Sequence, residues 1–181
     1  KMTNQIASVS RAGSYKSNSI LNNGTTFRFS ADENGVYKIT YEELVANLVV
    51  SSPVSSNLIN VYGNHNGMLP EVNGEFRHDD LEKNAIKMVD GGDGMFGPGD
   101  YILFYGQGPD KWKYDNISGQ FVFDKHLYTD LSFYFLKIDD NSGAKRIASL
   151  NSSTTTPSNN INSFNDFLAK EDEKINIMAF N

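Results

Sequence analysis

The stretch from residue 90 to 100, DGGDGMFGPGD, constrains the fold more than any other part of the chain. Five glycines and a proline at that density cannot continue a helix, because glycine loses the most backbone entropy and proline lacks the needed donor. The runs on either side, residues 85–89 and 101–105, are rich in β-branched and aromatic residues. The pattern reads as strand, long glycine-built connection, strand.

The same grammar repeats elsewhere. Residues 25–30 alternate aromatic and polar, with Phe27 and Phe29 against Arg28 and Ser30, as a half-buried strand does. Glu33-Asn34-Gly35 is a hairpin-type turn, and residues 36–39 resume the β pattern. Residues 58–62, 120–123 and 131–138 supply further strands, and residues 144–150 a returning one. One helix start stands out: Thr40 and Glu43 form a capping box, so a short helix follows over residues 41–48. Strands at short, irregular spacing with one clear helix predict a mainly β fold, an antiparallel β-sandwich or jelly-roll-like architecture with one or two short helices.

Composition divides the chain into a polar leader (1–24), a β domain (25–150), a Ser/Thr/Asn-rich linker or loop (151–163) and a C-terminal segment (164–181). The last would hold a short helix over 164–171 and a strand over 175–180, and it stops mid-pattern as a truncated segment does. A chain of 181 residues buries roughly 70% of its unfolded surface on folding. Twelve Phe and nine Tyr speak against disorder.

Several chemistries are disfavoured. The formal net charge of -6 argues against nucleic acid, and Lys111 and Lys113 around Trp112 are the nearest approach to a basic aromatic patch. There is no cysteine, hence no disulfide, no thiolate nucleophile and no Cys-based zinc site. His65, His78 and His126 each sit in polar, turn-like surroundings, with neither a Gly-x-Ser-x-Gly elbow nor a His-Glu-x-x-His pair, and read as surface histidines. Gly106-Gln107-Gly108-Pro109 starts like a dinucleotide fingerprint, but Asp110-Lys111 follows where the third glycine belongs. No segment approaches the apolar length of a membrane span, and Lys1-Met2-Thr3 does not open a signal peptide. The chain is either soluble inside the cell or a fragment whose export signal has been removed.

Two groups remain as candidates. Asp90, Asp93 and Asp100 place carboxylates among exposed glycine carbonyls, the oxygen ligands that calcium takes. The EF-hand pattern fails, since Gly92 and Gly94 occupy the alternate positions and no terminal Glu appears; a structural loop with side-chain turns is the competing and preferred reading. Trp112, Tyr114 and Tyr128 form a possible ligand or partner face, a stacking platform for carbohydrate or else rim aromatics of the core.

The blocks fall in a recognisable order. Residues 35–44 (GVYKITYEEL), 60–71 (NVYGNHNGMLPE), 79–86 (DDLEKNAI), 93–112 (DGMFGPGDYILFYGQGPDKW) and 134–136 (YFL) together resemble the N-terminal region of the PorU family. These are the gingipain-like cysteine-peptidase sortases of type IX secretion in Bacteroidetes-type bacteria. The third block is similar to DDLxENx(I/P) and the fourth resembles DGxFxxxDYILFYxxGPxxW, which is the most specific. Phe27 and Phe29 stand where the family usually has a Trp-containing first strand.

The resemblance implies a location on the outer face of the outer membrane. It also implies contact with a downstream peptidase domain, and with PorV, PorQ, PorZ and the C-terminal signal domains of cargo. The family's catalytic His and Cys belong to that downstream domain, so no catalytic residue carries over to this chain. A structural or docking role without catalysis is the leading expectation. A carbohydrate-binding or adhesive sandwich, and a hydrolase using Ser or Asp, are the alternatives.

Overall fold

The alternation around Phe27 and Phe29 becomes a strand, and most of the other β patterns follow it. The structure is a computed structural model, and the residues it describes are 15–64, 67–72, 74–152, 156, 159 and 161–163. Backbone contacts divide the chain into Lys1–Ala148 and Ser149–Asn181, and every element below lies in the first unit. Most of the polar leader, residues 1–14, lies outside the described residues, as do the helix expected over 164–171 and the strand expected over 175–180. Among the described residues no helix is long and apolar enough to cross a membrane.

In chain order the elements are β1 (Thr25–Ala31), β2 (Gly35–Thr40), α1 (Tyr41–Ala46), β3 (Val54–Ser55), β4 (Asn60–Tyr62) and β5 (Lys83–Asn84). Then come β6 (Ile86–Val89), β7 (Met95–Phe96), β8 (Tyr101–Gly106), β9 (Lys111–Asp115), β10 (Gln120–Asp124) and β11 (Ser132–Ile138). One antiparallel sheet has the order β1-β11-β4-β5, and a second has β2-β8-β6. The pair β3-β7 is a two-residue ladder, and β9-β10 is a hairpin. The fold is mainly β, antiparallel and sandwich-like, with one short α-helix among the described residues.

The turn at Glu33-Asn34-Gly35 is not a hairpin. Instead β1 pairs with β11 while β2 pairs with β8, so the turn carries the chain from one sheet to the other. Side chains hold it there: Asp32 Oδ1 accepts from the Glu33 amide and the Tyr37 hydroxyl, and Asn34 Oδ1 accepts from the Gly108 amide at 2.9 Å. The capping box forms as expected, with Thr40 Oγ1 accepting from the Glu43 amide and the Glu43 carboxylate accepting from the Thr40 amide. The helix stops two residues early because Asn47 caps the Glu43 carbonyl and Leu48 turns left-handed at φ 58°. The strand expected over 144–150 shrinks to one parallel bridge between Ile86 and Arg146, because Arg146 is turned inward to anchor the segment.

Between the sheets lies an aromatic core. Phe27, Phe29 and Ala31 of β1, with Tyr134, Leu136 and Ile138 of β11, face Tyr37, Ile39, Ile102 and Phe104 of the second sheet. The Tyr134 ring lies 5.2 Å from Phe104, edge to face, and 5.9 Å from Phe29. Burying each such ring stabilises by about 1.5–3 kcal/mol. The Tyr134 hydroxyl accepts from the Gln107 amide at 2.7 Å and donates to the Gln107 carbonyl at 3.1 Å, so its burial leaves no polar group unpaired.

The outer face of the first sheet is covered by polar segments. Lys137 is buried there, its ammonium donating to the Ile20 carbonyl and Asn23 Oδ1. Asp80 accepts from the Ser19 hydroxyl and the Ile20 amide, so residues 16–23 are fastened at both ends. Over β4 lies the segment after β11. Its Asp140 carboxylate accepts from Asn60 Nδ2 at 2.8 Å, the Tyr62 hydroxyl at 2.6 Å and the Ser142 amide at 3.0 Å. Arg146 donates to the carbonyls of Ser56 and Ile59. Burial alone would raise the Asp140 carboxyl, but donors from Ser142, Tyr62 and Asn60 outweigh it and hold the group far below the carboxylate range. Burial, with Asp140 as acceptor, pushes the Tyr62 hydroxyl up to about 12.

Two predictions follow from packing and charge. A Cβ on Gly63 would meet the Tyr134 ring at 2.4 Å, whereas one on Gly74 meets nothing within 4 Å. In urea unfolding, Gly63→Ala should cost about 1–3 kcal/mol through overpacking, with Gly74→Ala near neutral. The second concerns pH. Because Asp140 titrates lower folded than unfolded, its stabilisation is complete above the ordinary carboxylate value of about 4 and fades as pH falls below it. Tyr62, raised when folded, adds stability up to about pH 10 that is lost as pH rises through 12. Asp140→Asn should flatten the acid limb and cost about 1–3 kcal/mol at neutral pH; an unchanged acid slope would contradict the assignment.

Candidate functional site

The glycine-rich connection folds on local rules. Asp93 Oδ1 accepts from the Met95 amide at 2.8 Å, Asp100 Oδ2 from the Gly97 amide at 2.7 Å, and Asp90 Oδ1 from the Gly92 amide at 3.2 Å. Each carboxylate thus closes its own side-chain turn, while Gly91, Gly92, Gly94 and Gly99 take the positive φ angles those turns require. The Ser56 hydroxyl beside Asp90, then the Gly92 amide and the Arg146 charge, hold that carboxyl below its ordinary range against the effect of burial. Among the described residues no group of three or more His, Asp or Glu is arranged to hold a metal ion. The middle of the loop is itself β: Met95 and Phe96 pair with Ser55 and Val54, and Phe96 is fully buried against Tyr41.

The other candidate face is built on a strand that the sequence reading overlooked. Residues 111–115 alternate Lys, Trp, Lys, Tyr, Asp and pair as β9 with β10, in the register Trp112 to Phe123 and Tyr114 to Phe121. The connecting turn is closed by Asp115, whose carboxylate accepts from the amides of Ile117 and Ser118, with Gly119 at φ 67°. Side chains two apart share a face, so Trp112, Tyr114, Phe121 and Phe123 form one aromatic ladder. The two cross-strand ring pairs are each 5.2 Å apart and inclined at 56° and 63°. Inclined rings present a ridged surface, better suited to interdigitating side chains than to stacking a flat sugar.

Tyr128 stands apart from the ladder: it is 86% exposed and its ring meets His126. His126 Nδ1 accepts from the Tyr128 and Thr129 amides, which makes it a turn former. His78 lies 3.4 Å from Glu82, and His65 lies outside the described residues. The structure therefore joins Trp112 with Tyr114, adds Phe121 and Phe123, and gives His78 and His126 separate partners. The signal for the missing partners was the alternation in residues 111–115 followed by a turn sequence.

On the opposite face of the hairpin, Lys111, Lys113 and Asp124 wall a cavity of 660 Å³ whose other side is the segment around Met68, Leu69 and Arg77. Lys113 and Asp124 form an ion pair across the strands. Gly106-Gln107-Gly108, the false start of a nucleotide fingerprint, is a packing device. A Cβ on Gly106 would lie 2.8 Å from the Tyr37 ring, and one on Gly108 would lie 2.5 Å from the Asp32 carbonyl.

No protein-family model and no curated protein matches the sequence. Among solved structures, the chain is similar to the crystal structure of dimeric latent PorU from Porphyromonas gingivalis, at 23% identity and a TM-score of 0.51. The similarity covers 74% of this chain and 11% of that one, and at this identity it is a similarity of fold.

Trp112 is the sole tryptophan, so its emission reports on the hairpin alone. Phe123→Ala should red-shift that emission and weaken the hairpin by about 1 kcal/mol, while the unfolding midpoint followed by far-ultraviolet circular dichroism moves little. Identical shifts in both signals would mean that the hairpin and the sandwich unfold as one.

Proposed function

We propose that this chain is the N-terminal structural and docking module of a cell-surface type IX secretion sortase, and that it binds without catalysing. The observation that carries the reading is the fold shared with a segment of PorU, running over 74% of this chain. The ordered sequence blocks support it from a second direction, because their residues occupy the structural joints of the fold. Gly63 makes room for Tyr134, Asp80 fastens residues 19 and 20, and the YILFYG run is the central strand β8.

In this reading the chemistry belongs to a peptidase domain elsewhere in the protein. This chain has no cysteine to serve as its nucleophile. Its work is to present surfaces at the outer face of the outer membrane to that domain, to PorV, PorQ and PorZ, and to the C-terminal signals of cargo. Mixed polar and apolar faces such as the hairpin suit contacts of that kind.

The test is genetic. Removing residues 15–148 from the encoded protein, with the remainder still made and exported, should leave cargo with uncleaved C-terminal signals and released from the surface. Cargo that matures and attaches normally in that strain would end the proposal.

A further inference from the structure

The segment that returns the hairpin to the sandwich is built on a titratable side chain. Residues 125–131 join β10 to β11, and His126 is half-buried near their start. Its Nδ1 accepts from the Tyr128 amide and from the Thr129 amide, each at 3.2 Å. Two amides aimed at one ring nitrogen require a lone pair there, so the neutral ring carries its hydrogen on Nε2. The next step of the connection follows directly. Thr129 Oγ1 accepts from the Leu131 amide and donates to the Leu131 carbonyl, immediately before β11. On the other limb, Asp110 Oδ1 accepts from the His126 amide at 2.7 Å and ties residue 126 to the chain just before β9.

A proton on Nδ1 turns that acceptor into a donor, and the two amides then face a group that cannot receive them. The bonds and the proton exclude each other. Imidazole is the side chain that ordinarily charges between about pH 8 and pH 5, so the exchange falls in an accessible range. The charged groups around the ring set where it goes. Asp110 bonds the residue's own amide, while Asp124 and Lys125 precede it in the chain, Asp124 being paired with Lys113. Tyr128 meets the ring edge to face at 6.2 Å, and Asp130 beyond it is exposed. The small cavity that His126 helps line adds only uncharged residues, Asn64, Pro109, Leu131 and Phe133 among them. A charged ring is therefore drawn toward Asp110 and away from the two amides.

We propose that His126 is a proton-operated latch between the hairpin and β11. With the ring neutral, residues 127–130 are held closed. With the ring protonated, both amides are released and the connection slackens while the sandwich stays folded. The hairpin carries the aromatic ladder, so the latch sets how firmly that face is held. It rests on this chain's own residues and is independent of the sortase reading.

The test uses the intact chain, labelled with nitrogen-15 and followed by NMR between about pH 8 and pH 5. The His126 ring nitrogens should show its proton arriving. Over the same interval, exchange of the Tyr128 and Thr129 amides with water, corrected for the intrinsic effect of pH, should quicken about ten- to thirtyfold, as expected for two lost hydrogen bonds. Amides of β8 and β11 should not change. His126→Asn places an oxygen where Nδ1 stood, which accepts from the same amides but does not titrate, and should leave both equally protected across the range. His78, which pairs with Glu82, is unaltered in that variant, so any acid response it causes persists there. A His126 ring that stays neutral throughout, a protonated ring with both amides still protected, or the same acid response in His126→Asn would each overturn the proposal. The first two outcomes are read on the unmodified chain, so they do not depend on any variant folding.

Discussion

The ring of Tyr134 is where the two sheets become one structure. It comes from the middle of β11 and reaches Phe29 within its own sheet and Phe104 in the other. Its hydroxyl then closes a two-way bond with Gln107 just past the end of β8. Glycines make room for the rings of this core. Gly63 has no side chain because the ring occupies that position, and Gly106 is bare because Tyr37 packs alongside. An aromatic residue with a satisfied polar end gives apolar burial and a fixed orientation together, which a leucine at the same place could not.

What could be read from the sequence was whatever depends on close neighbours along the chain. The capping box at Thr40 and Glu43 spans three residues, and it forms with both of its hydrogen bonds. The alternation of β1 and the apolar runs of β6, β8 and β11 are equally local. The sheet assignment was not legible. That β1 and β2 belong to different sheets follows from Asn34 bonding Gly108 and from Thr25 pairing with Ile138, contacts between residues far apart in sequence. The strand β9 is hard to read for another reason: its two lysines give the segment the look of a charged patch, and only the alternation of Lys, Trp, Lys and Tyr marks a strand.

The candidate sites divide in the same way. The three aspartates of the glycine-rich loop were visible as a cluster, and the side-chain turns they make obey a rule of two or three residues. The pairing of Trp112 with Phe123 required the hairpin register. The buried charges were invisible, because Asp140 meets Asn60 and Tyr62 some 80 residues away and Arg146 reaches Ser56 across 90. Nothing near Asp140 in the sequence distinguishes it from the exposed acids around it.

The pairing of β1 with β11 dictates an order of events. In a chain made from its N-terminus, β1 is complete by residue 31, yet its partner ends at Ile138, so more than a hundred residues must emerge before it can be paired. Hairpin β9-β10, whose partners are separated by one short turn, can close early, whereas the sheet that frames the core must wait. Until then β1 offers an unsatisfied edge with two phenylalanines, the kind of surface that recruits chaperones or neighbouring chains. The arrangement therefore makes assembly late and nearly all at once, with β11 as the strand that completes it.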